Sequence, residues 1–122
     1  MLNEFSDSQF MGSYNDFYYF KNIMDVENIK KNLGPAANLL KALSNEKRLA
    51  IVCALYEGEK SVGTLEDIVG LSQSALSQHL ARLRRDNLVK TRREAQTIYY
   101  MLADKTPESI LRSLSLIYYP ED

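Results

Sequence analysis

Cysteine and histidine are nearly missing: the 122 residues hold one of each, Cys53 and His79. A single cysteine excludes an intrachain disulfide and a cysteine metal cluster. The two side chains lie 26 positions apart on segments that read as different helices, so no nucleophile–base arrangement suggests itself. None of the five glycines belongs to a loop that would cradle phosphate. We therefore expect neither an enzyme nor a bound cofactor. Long apolar runs are also absent: nothing approaches the roughly 18 residues a membrane span needs. The opening MLNEFSDSQF lacks the basic and apolar regions of a secretory signal. These absences lead to the expectation of a cytoplasmic protein with no membrane partner.

What is present is ordinary in bulk. Hydrophobic residues make up 45% and charged residues 25%, as in a typical globular chain, and the length suits one domain. Net charge is −1, which argues weakly against nucleic acid until it is mapped. Residues 71–100 carry six bases, Arg82, Arg84, Arg85, Lys90, Arg92 and Arg93, against two acids, Asp86 and Glu94. That segment is +4, which leaves −5 for the other 92 residues. Phosphate attraction is local at physiological salt, so the asymmetry outweighs the total.

Along the chain, residues 1–23 stand apart, with seven of the twelve aromatics. They read as an added packing segment, or alternatively as a partner-binding arm, in front of a 24–122 domain. A helix is expected from Met24 to Leu43, broken at Gly34-Pro35. A second starts near Asn45, with Leu49, Val52, Cys53 and Tyr56 on one face and Gly58 as its stop. Ser61 caps a short third helix that Gly70 ends. Ser72 caps a fourth with a stripe of Leu76, Leu80 and Leu83, ending at Asn87. The period then changes to two: VKTRR and TIYYML read as strands joined around Glu94-Ala95-Gln96. Thr106 caps a last helix with Pro107 at its first position. Its stripe of Ile110, Leu111, Leu114, Ile117 and Tyr118 is too wide for one side of a small monomer, and part of it reads as a dimer surface.

A short helix, a tight turn and a helix with polar exposed positions make a helix-turn-helix, whose second helix would lie in the major groove. The exposed face of that helix offers Gln73, Ser74, Ser77, Gln78 and Arg82. Glutamine pairs bidentately with adenine, arginine with guanine, and serine donates or accepts. Arg84 and Arg85 suit phosphates on the flank. Lys90, Arg92 and Arg93 sit on a hairpin arm that could grip backbone or the adjacent minor groove. A merely solvated helix would mix charge signs at i,i+4, and this one has no acid before Asp86. A protein-interaction module is the competing class. It would favour apolar residues where Gln73, Ser74, Ser77 and Gln78 stand.

The stretches ANLLKALSNEKRLAIVCAL and SVGTLEDIVGLSQSALSQHLARLRRDNLVKTRREAQTIYYML resemble the ArsR/SmtB family of winged-helix repressors. Within it the chain is most similar to the HlyU-type virulence regulators and the persulfide-responsive repressors. The likeness runs from about Met24 to Tyr119. It implies a mainly α fold with a β-hairpin wing, about five helices plus one two-stranded hairpin. It implies a homodimer through the first and last helices on a roughly palindromic operator, as repressor or as anti-silencing activator. It further implies that the fourth helix reads DNA through Gln73, Ser74, Ser77 and Gln78, and that the wing lies around Arg92 to Gln96. His79 reads as either a base reader or a helix-packing residue. The DNA-binding set is thus Ser72, Gln73, Ser74, Ser77, Gln78, His79, Arg82, Arg84, Arg85, Lys90, Arg92, Arg93 and Gln96.

Metal-sensing members of that family use cysteines on the third helix or His/Asp ligands on the last. LEDIVG holds no cysteine and the last helix no histidine. Glu66 and Asp67 are too few ligands for tight zinc, so no metal is expected. The redox-responsive members use two cysteines. Cys53 matches the first, and Tyr119 stands at the second. Cys53 reads more readily as a small buried hydrophobe among Val52, Ala54 and Leu55. The alternative is a lone thiol sensor, although no basic residue lies within four positions to stabilise a thiolate.

Overall fold

The computed structural model describes residues 24–119. The segment 1–23 and the last three residues lie outside the described residues. The first helix, α1 (Val26–Lys30), starts at Asp25, whose carboxylate accepts from the Asn28 N–H at 3.1 Å. The chain steps through Lys31 and Asn32 into α2 (Leu33–Leu43). The expected single helix is thus two, but the break precedes Gly34-Pro35, which occupies the first turn of α2. First-turn N–H groups have no helical acceptor, so a proline there forfeits no bond. Gly34 also has no Cβ to crowd the ring.

The third helix, α3 (Glu46–Tyr56), is capped by Asn45, which accepts from the Lys47 and Arg48 N–H groups at 2.9 and 3.0 Å. Its buried residues are Ile51, Val52, Ala54 and Leu55. Of the face expected from spacing, only Val52 is buried. Leu49 is half-buried, and Cys53 and Tyr56 are exposed. Cys53 is therefore not the buried hydrophobe expected. This helix is apolar almost all round from Leu49 onward, so periodicity could not select the inner face.

Next come β1 (Lys60–Ser61), α4 (Val62–Val69), α5 (Gln73–Arg85), β2 (Val89–Glu94), β3 (Thr97–Leu102) and α6 (Lys105–Ile117). Among the described residues there are six helices and a three-stranded antiparallel sheet ordered β1-β3-β2. The expected hairpin is β2–β3, in register from Val89↔Leu102 to Glu94↔Thr97. β1 was not anticipated, because two residues cannot display a period of two. It pairs Lys60↔Tyr100 and Ser61↔Tyr99. The cap of α6 is Asp104, which accepts from the Thr106 N–H at 2.8 Å. Thr106 and Pro107 fall inside the first turn, where proline is equally tolerated.

The core gathers around α3. Ile51, Val52, Leu65, Leu76, Leu80 and Leu83 are fully buried, and Leu88 and Val89 close the sheet side. Each contributes about 1.5–3 kcal/mol by leaving water. This packing fixes the angle of α5 against α3 and α4. No helix among the described residues is long and apolar enough to cross a membrane.

Candidate nucleic-acid interface

Two caps build the helix-turn-helix. Gly70 ends α4 in the left-handed region, φ 74, and Ser72 opens α5 by accepting from the Ala75 N–H at 3.3 Å. The three-residue turn Gly70–Leu71–Ser72 holds the helices at their angle while Leu71 packs on the core. Because Leu76, Leu80 and Leu83 are pinned inward, Gln73, Ser74, Ser77, Gln78, Arg84 and Arg85 face solvent on one arc. Small polar groups occupy its N-terminal half, which leaves room for close approach to a base edge.

Two residues of the expected set stand at the margin of that arc. His79 is half-buried, with Nδ1 3.5 Å from Nη1 of Arg48. Partial burial first, then Arg48 and Lys47, lower its pKa and favour the neutral ring. Arg48 also donates to the Ala42 and Lys41 carbonyls at the end of α2. His79 therefore meets a packed junction and not the open face. Arg82 is partly buried and donates from Nε to Asp86 at 2.9 Å.

The wing divides its charge unevenly. Arg92 donates to Glu59 from Nε at 2.9 Å and from Nη2 at 2.6 Å, and to Glu94 from Nη1 at 3.0 Å. Its guanidinium lies 4.5 Å over the centre of the Tyr99 ring. Arg93, one residue on, is exposed and has no polar partner among the described residues, like Lys90, Arg84 and Arg85. Gln96 is exposed in the turn, beside Ala95 at φ 56. The four bases left free thus flank α5 and run onto the wing, while Arg82 and Arg92 are largely neutralised. Glu59 is a site residue that sequence reasoning missed: it lies 33 positions from Arg92, and no local pattern links them.

A model described as "Bacterial regulatory protein, arsR family" matches residues 45–91, from the cap of α3 into β2. The chain is 50% identical over 95 residues to the transcriptional activator HlyU of Vibrio cholerae, covering 78% of this chain and 88% of that protein. This chain belongs to the arsR family of bacterial regulatory proteins. The crystal structure of the transcriptional repressor BigR from Xylella fastidiosa superposes with a TM-score of 0.75 at 41% identity, covering 80% of this chain and all of that one. A homodimeric winged helix-turn-helix DNA-binding domain from Mycobacterium bovis gives a TM-score of 0.63 at 28% identity, over 78% of this chain and 87% of that one. The arsR chain described here is accordingly a winged helix-turn-helix, with α4–α5 as the helix pair and β2–β3 as the wing.

Away from α5 and the wing, the same chain leaves apolar groups uncovered. Leu33, Leu40, Ile117 and Tyr118 are exposed on α2 and around the end of α6. A groove of about 790 Å³ between α3 and α6 is lined by Leu49, Cys53, Tyr56, Leu111, Leu114 and Tyr118 among others.

Proposed function

We propose that this arsR-family protein is a homodimeric transcription regulator that seats α5 in the major groove of a roughly palindromic operator. The exposed polar arc of α5, with four bases on or beside it that have no polar partner among the described residues, carries the reading. Gln73, Ser74, Ser77 and Gln78 face base edges. Arg84, Arg85, Lys90 and Arg93 hold phosphates, and Gln96 reaches the backbone or minor groove from the wing tip. Ser72 sets the start of the helix, while His79 and Arg82 hold its flanks. Action is by binding, without catalysis, cofactor or metal, and its place is the cytoplasm. Residues 24–122 form the working unit and 1–23 an extension.

The dimer forms through α1, α2 and α6. Exposed apolar side chains on α2 and α6 support this, since isolated monomers rarely leave such patches open. The homodimeric neighbour supports it as well. Two-fold symmetry then calls for two half-sites about one helical turn apart. The similar proteins include a transcriptional activator and a transcriptional repressor, so this fold is compatible with either direction of regulation.

Mobility shift of the DNA upstream of its own gene across a salt series tests the reading, with Gln78→Ala and Arg93→Ala beside the native protein. The native complex should be far tighter than with random DNA and should weaken steeply with salt. Gln78→Ala should relax discrimination by about 1–3 kcal/mol at one base pair. Native binding to pooled genomic fragments no tighter than to random duplex would overturn it.

A further inference from the structure

Arg92 looks like a phosphate ligand in the sequence and is not arranged as one. All three of its side-chain nitrogens donate to carboxylates. An incoming phosphate would have to displace Glu59 or join two anions already around the same cation. Arg93 is placed differently: successive residues of a strand face opposite sides, and its side chain is free among the described residues.

The location of the ion pair matters more than its strength. Ser61, Tyr99 and Arg92 stand in line across β1, β3 and β2. The Arg92 side chain crosses over Tyr99 and reaches Glu59, which directly precedes β1. β1 in turn runs without a gap into α4, the first helix of the helix-turn-helix. The contact therefore ties the outer strand of the wing to the start of the reading head across the full width of the sheet. Exposed ion pairs add little to stability. A bidentate guanidinium–carboxylate pair nevertheless fixes direction, because the two planar groups meet in one geometry.

We propose that Glu59 and Arg92 form a brace that sets the wing's angle to α5, so that Arg92 is a positioning residue and Arg93 makes the wing's contact with DNA. This rests on the DNA-binding reading above. The hydrogen bonds from Arg92 hold the Glu59 carboxyl below the usual carboxylate range, so the brace is closed at neutral pH.

Fluorescence anisotropy on an operator duplex at several salt concentrations separates the roles, using the full chain and its E59Q, R92K, R93A and E59Q/R92K variants. E59Q removes a negative charge from the wing region, so simple electrostatics predicts tighter binding. The brace predicts the reverse: about fivefold weaker specific binding with an unchanged salt slope. R92K keeps the charge and loses the fork, and should weaken binding equally, with the double variant no worse than either single one. R93A removes one phosphate contact from each protomer and should lower the slope by about two. Tighter binding by E59Q with a steeper slope, or native affinity in R92K, would overturn the proposal.

A second measurement needs no DNA. Spin labels at Q96C and A81C, on a C53S background, report the distance from wing tip to α5. E59Q should broaden that distribution, and an unchanged width would overturn the brace. If the native chain fails to bind any duplex specifically while E59Q still broadens the distances, the DNA reading fails and the brace stands.

Discussion

His79 shows how one side chain can be claimed by two roles until its neighbours are known. Its place on α5, between Gln78 and Leu80, fits a base reader and a packing residue equally. Arg48, thirty-one positions away in sequence, favours the packing role by bringing its guanidinium to 3.5 Å from the ring. Burial and the two cations Arg48 and Lys47 depress the ring's pKa. The unfolded chain then binds a proton more readily than the folded one. Stability should be full above the ordinary histidine value of about 6.5 and fall as pH drops through it toward the lowered folded value. Urea midpoints measured between pH 7.5 and 5 should decline more in the native protein than in His79→Gln. Equal declines would place the acid sensitivity elsewhere.

At the scale of elements, the caps account for most of what the sequence disclosed. Ser61, Gly70 and Ser72 were legible because each satisfies a specific backbone need at a helix end. Gly70 is the most constrained of them. A Cβ there would meet nothing within 4 Å, so the penalty for a larger residue is conformational alone. Gly70→Ala should cost about 1–2 kcal/mol, and Ser72→Ala about 1 kcal/mol by loss of the bond to the Ala75 N–H. Denaturant unfolding of both variants checks these values. An unchanged midpoint for Gly70→Ala would mean that the turn relaxes into another conformation. The break expected at Gly34-Pro35 and the cap expected at Thr106 were both misplaced by a few residues for one cause: proline fits any position of a first turn, so it marks a helix start only to within a turn.

The whole molecule adds what no segment holds. Ile117 is 68% exposed and Tyr118 79%, at the end of a helix whose inner side packs on the core. If this face joins two copies, Ile117→Glu should place a charge in the joint without touching the core. Sedimentation should then show a monomer with native far-ultraviolet dichroism, and operator binding should weaken by at least tenfold as the two half-sites are decoupled. A dimer that survives this substitution would move the interface elsewhere.

Local chemistry settled the helix-turn-helix pair, the hairpin that follows it and the polar arc of α5, though not β1 or the division of the first helix. Capping residues, a leucine stripe at helical spacing and a change of period act over a few residues, and a few residues are all they need. Contacts between distant segments needed the fold. Which side of the apolar α3 turned inward, and so left Cys53 in an open groove, depended on what packed against it. Which of the six bases stayed free depended on where Asp86, Glu94 and above all Glu59 came to lie. A charge count treats every arginine alike. Only the tertiary structure brings a carboxylate 33 residues away to within hydrogen-bonding distance of Arg92, because pairing depends on separation in space and not along the chain.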